Sequence, residues 1–164
     1  MSWYWILRFL HITGAALFIG GVFARQLVRS RLRKTSERDA FAELTGAARL
    51  IDERLVIPGS GLVLLAGIIL AWMTGAPFLG FIQAAPQNWL LVSNILIILG
   101  MLLVVRVFLP VRKQIEAWVA QAGADETVPS EIQALINRPR LQLAYLLEEI
   151  SLLVIVALMV FKPF

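Results

Sequence analysis

Four stretches of this chain are too long and too apolar to face water: residues 3–28, 55–74, 89–109 and 140–161. At ~1.5 Å of rise per residue, a helix of about 20 apolar residues crosses the roughly 30 Å hydrocarbon core of a bilayer. Only helices and closed barrels satisfy their own backbone in lipid, and these runs lack the strict alternation of barrel strands. The pattern predicts an all-α integral membrane protein, an antiparallel four-helix bundle forming one domain over residues 1–164. The first run is too long and too weakly charged at its start for a cleavable signal peptide, so it is expected to stay in the mature protein.

Composition agrees: 59% of residues are hydrophobic and mean hydropathy is +0.79. The chain has no cysteine, which excludes disulfides and thiolate metal or iron–sulfur sites. A net charge of +4 in a soluble protein would point to nucleic acid. Here the arginines flank apolar runs, the pattern of topology signals and anionic headgroups, so the expected surroundings are the lipid bilayer and no nucleic acid. Basic residues crowd the first connection, from Arg29 to Arg49, and the third, from Arg112 to Arg140, while the second has none. The positive-inside rule then puts both termini on the non-cytoplasmic side.

Within the connections, Phe41, Leu44, Ala48 and Ile51 recur at helical spacing, predicting an amphipathic helix that lies on the headgroups or extends the first span. Pro58 and the glycines after it should loosen the start of the second span, and Pro110 should end the third. Ser130 and Gln133 read as a capping box, and Asn137 as the cap of the last helix, with Pro139 in its first turn.

The one histidine, His11, lies in the first run. Tyr4, Arg8, His11, Gly14, Ala15, Phe18, Val22 and Arg25 share one helical face, with Gly21 at its edge and Gly20 opposite. Two readings of this face stand side by side. Gly14 and Gly21 allow close approach of another helix, with His11 a hydrogen-bonded packing residue. Alternatively Gly14, Ala15 and Gly21 leave room for a porphyrin, His11 is the metal ligand, and Arg8 pairs with a propionate. By depth the remaining polar residues fall into two layers: Arg8, His11, Ser93 and Asn94 toward the termini, and Arg25, Arg54, Arg106, Glu148 and Glu149 toward the basic connections. Asn94 fits an interhelical hydrogen bond or a polar contact to a cofactor. The deeper layer fits an ion-pair lock of Arg25 and Arg106 with Glu148 and Glu149 better than a proton path. Copper is poorly served, since Met73, Met101 and Met159 are spread over different spans.

The opening LRFLHITGAALFIGGVF, the segment IPGSGLVLLAG, Trp89 at the start of the third span and the closing LMVFKP resemble the predicted integral membrane family called domain of unknown function 2269. That resemblance implies four helices in a bacterial inner membrane and no established activity. A histidine after an aromatic-rich start and before a Gly/Ala-rich stretch is also distantly similar to HemJ-type protoporphyrinogen oxidases and the copper-resistance D membrane domain. In the oxidases the first-helix histidine is implicated in binding haem b, which by position would fall to His11. The chain departs from that family in having no lysine in its third span. The first functional expectation is therefore a small b-type haem-binding or redox accessory subunit, with the haem shared in a homodimer or with other membrane subunits. The alternatives are a non-enzymatic structural or assembly subunit, and a small proton-coupled transporter with Glu148 and Glu149 as carriers; whether the chain is an enzyme stays open.

Orientation is testable because the chain has no native cysteine. A cysteine at Gly75 should react with an impermeant maleimide on intact cells, and one at Lys34 only after permeabilisation; the reverse pattern would invert the topology.

Overall fold

A computed structural model describes residues 2–85, 87–123 and 126–163, and almost all of them are helical. Helix α1 spans Trp3–Leu32. Helix α2, Arg38–Ile51, runs through a π-helical turn at Asp52–Val56 into α3, Ile57–Thr74. Helix α4, Trp89–Leu103, likewise passes through a π turn at Val104–Phe108 into α5, Leu109–Gln121. Helices α6, Ser130–Ile136, and α7, Pro139–Phe161, complete the order. Four of the continuous helices are long and apolar enough to cross a membrane. Their outward faces carry large apolar residues such as Leu65, Trp72, Ile98 and Leu153. That distribution suits a bundle whose solvent is lipid, where apolar surface need not be hidden.

Helix α1 packs most closely on α3, and glycine makes the approach possible. A Cβ on Gly59 would lie 2.6 Å from the Phe18 nitrogen, and one on Gly14 2.7 Å from the Val63 nitrogen. Gly21 meets Leu55 and Val56 in the same way, whereas Gly20 faces open space. The small-residue face of α1 thus serves close packing, Gly14 against α3 and Gly21 against the π turn before it.

The two π turns share a pattern, Arg54-Leu-Val-Ile-Pro58 and Arg106-Val-Phe-Leu-Pro110. A proline inside an α-helix clashes with the carbonyl four residues back and lacks the amide that would bond it. Inserting one residue into the preceding turn relieves this, with the Ile57 amide reaching the Asp52 carbonyl and the Leu109 amide reaching that of Val104. Pro58 loosens the helix there, as expected. Pro110 does not end the third span: the π turn absorbs it, and α5 continues beyond.

At the basic end the helices run past the apolar zone into a small head. Phe41, fully buried, packs with Leu32, Ile115, Val128 and Ile136, and Trp118 meets its ring edge-on at 5.5 Å. The amphipathic segment therefore does not extend α1. It folds back after the turn at residues 33–37 and prolongs α3, because its apolar face finds a protein core. Arg38 ties it across by donating to the Val119 and Ala122 carbonyls, at 3.3 and 3.2 Å. Pro129 is the N-cap of α6, so Ser130 lies inside the helix and makes no capping box with Gln133, whose Nε2 donates to the Thr35 carbonyl at 2.6 Å. Asn137 bonds back to the Gln133 carbonyl, leaving Arg138 as the N-cap of α7 with Pro139 at its first position.

Gly59→Ala should cost about 1–3 kcal/mol in a reversible unfolding titration in mixed micelles, since the added methyl meets backbone. Gly20→Ala should be neutral or stabilising by up to about 1 kcal/mol. Equal effects at the two sites would contradict this packing.

Candidate functional site

The chemistry of the bundle gathers around Arg25, on the third turn from the end of α1. Its side chain is 6% exposed and donates through Nη1 to Asp52 at 2.6 Å and through Nη2 to Glu148 at 2.7 Å. One guanidinium thus joins α1 to the first π turn and to α7. Its Nε is enclosed without a partner among the described residues. Arg112 on α5 reaches the other Asp52 oxygen at 3.4 Å and pairs with Glu116 at 2.8 Å, so α5 is tied to the same carboxylate. Arg29, one turn beyond Arg25, stands 3.9 Å from the second Glu148 oxygen and 4.1 Å over the Tyr145 ring. Phe108, packed on Tyr145 at 4.9 Å, borders the same guanidinium at 5.4 Å. Paired charge of this kind can be buried; an uncompensated one costs several kcal/mol.

Of the residues expected in an ion-pair layer, the structure brings Arg25 and Glu148 together. Arg106 and Arg54 are exposed, turned outward on their π turns. Neither is in an ion pair with a described residue. Glu149 points away from Arg25, and its Oε1 is enclosed without a hydrogen-bond partner among the described residues. Adjacent residues on a helix differ by about 100° in direction, so only one of the two glutamates can face α1. Asp52 takes the second carboxylate position. It was missed because the start of the second span reads as connecting sequence, yet an acid lying opposite Arg25 on an antiparallel neighbour was the available signal.

Toward the other end, the Nδ1 of His11 is 2.9 Å from the Val63 carbonyl of α3, and the ring lies against Gly67, where a Cβ would be 2.9 Å from Cε1. A carbonyl accepts, so Nδ1 is the donor in this contact. Asn94 donates to the Phe78 carbonyl at 3.1 Å, anchoring the loop before α4. Ser93, wholly buried, bonds back to the Trp89 carbonyl at 2.8 Å. Arg8 is exposed, 5.6 Å over the Trp5 ring. Ala15 is half-buried, Gly14 is covered by α3, and Gly21 by Leu55 and Val56 of the π turn before it. No group of three or more His, Cys, Asp and Glu side chains suited to a metal ion occurs among the described residues.

Four membrane-crossing helices, locked at one end by buried ion pairs and drawn together by glycine, make this a multi-pass integral membrane protein. Residues 5–163 match the model of the family described as predicted integral membrane protein (DUF2269), and the chain belongs to that family. No curated protein and no solved structure matches it.

Glu148→Ala leaves Arg25 with half its compensation and should lower stability by about 3–5 kcal/mol in micelle unfolding. Arg106→Ala should stay within about 0.5 kcal/mol of wild type. A large loss at Arg106 would mean that it is tied into the bundle.

Proposed function

We propose that this protein is a non-enzymatic structural or assembly subunit of a bacterial inner membrane, with a rigid four-helix body carrying a basic head. The observation that carries the reading is the use made of its one histidine, whose Nδ1–H bonds the Val63 carbonyl while its ring fills the notch at Gly67. In this account His11 is an interhelical tie. Glu148, clamped by Arg25 and approached by Arg29, serves as a lock and is poorly placed to carry a proton through the bundle. What the bundle leaves over is suited to assembly. Arg106 keeps an exposed cation near the basic end, a group that a neighbouring membrane helix would satisfy.

The visible spectrum of protein purified from cells given ample haem precursor tests this reading. A colourless wild type is expected. His11→Ala should lose about 1 kcal/mol of stability, with part recovered in His11→Gln, which keeps a donor. A Soret band that shifts on reduction and vanishes in His11→Ala would overturn the structural reading and restore a haem site.

A further inference from the structure

Beyond the ion-pair lock, the basic end holds a partly open cavity of about 70 Å³ between α1, α2, α5 and α7. That is more than the ~30 Å³ one water occupies. Four arginines line it, Arg29, Arg33, Arg49 and Arg112, against two carboxylates, Asp52 and Glu116.

The cations are not equally satisfied. Arg112 holds both of those carboxylates, Arg49 pairs with Glu53 at 2.7 Å, and Arg33 donates to the Gln142 side chain. The Arg29 side chain makes no hydrogen bond to a described residue. Its nearest carboxylate oxygen is 3.9 Å away, on a glutamate whose other oxygen already serves Arg25. Its Cζ lies 4.1 Å over the Tyr145 ring, and the side chain is only 17% exposed. A largely buried guanidinium with its donors unspent, held over an aromatic face in a lining with three further arginines, is an arrangement that receives a planar or tetrahedral oxyanion bidentately.

We propose that this cavity binds a phosphate-type oxyanion, taken up either as the headgroup of an anionic lipid or as a free anion, with Arg29 as the central donor and Arg33, Arg49 and Arg112 around it. The anion would satisfy Arg29 and offset the surplus positive charge of the lining. It would also bridge α1, α2 and α5, so occupancy should stiffen the junction between the head and the membrane helices.

The test uses the full chain in phosphatidylcholine nanodiscs. Thermal unfolding is followed with added inorganic phosphate against chloride at equal ionic strength, and then in nanodiscs containing phosphatidylglycerol. Two variants accompany the wild type: Arg29→Gln removes the central donor, and Ala48→Glu keeps every arginine while placing a carboxylate in the lining. A rise in the unfolding midpoint with free phosphate, about tenfold weaker in apparent affinity in Arg29→Gln and lost in Ala48→Glu, assigns the site to a free anion. A rise only with phosphatidylglycerol, lost in both variants, assigns it to a headgroup. If neither addition shifts the wild type, or if a variant that folds responds as the wild type does, the proposal is overturned.

Discussion

A guanidinium enclosed at the edge of a membrane must be met by carboxylates, and the position of Arg25 dictates where the other helices go. Its two terminal nitrogens are committed to Asp52 and Glu148, which come from distant points of the chain, one just before the second span and one inside the fourth. Satisfying both fixes the first π turn and α7 against the same turn of α1. Arg112, on the far side of Asp52, brings α5 to the same place. The basic end is thereby closed by charge, with apolar packing of Phe108 and Tyr145 alongside it.

The rest of α1 works by shape. Lipid gives helices little hydrophobic reason to associate, so close backbone contact and the occasional polar tie must hold them. Gly14 and Gly59 supply the contact, and His11 supplies the tie one turn further along. The glycines bring the two backbones near enough for an imidazole to reach a main-chain carbonyl of α3. The histidine in turn favours this register, because its ring lies against Gly67, where a Cβ would come within 2.9 Å of it. Helix α1 thus presents glycine and histidine to α3, and arginine to α7.

Much of this was legible in the sequence. Run length and hydropathy gave four apolar helices, the number long and apolar enough to cross a membrane, although the continuous helices run on beyond the apolar stretches; the helical wheel separated Gly21 from Gly20. Depth along the membrane normal put Arg25 near Glu148. Depth says nothing about direction around a helix, however, which is why Arg106 and Glu149 were grouped with a lock that they do not join. A histidine that bonds a main-chain carbonyl leaves no partner residue type to search for, so the role of His11 could not be separated from a ligand's by sequence. Pro110 misled because a proline signals a break unless the turn before it widens. The repeated Arg-x-x-x-Pro spacing at Arg54–Pro58 and Arg106–Pro110 was present all along, though its meaning depends on backbone geometry.

The central claim is that Arg25 and Glu148 act as a coupled pair closing the bundle. A double-mutant cycle measures that coupling directly, using Arg25→Met, Glu148→Gln and the combined variant unfolded reversibly in the same micelles. A coupling energy of about 2 kcal/mol or more, with the double variant markedly more stable than the sum of the single losses implies, is the expected result. Strictly additive losses, within about 0.5 kcal/mol, would contradict the account and place the stability of the basic end elsewhere.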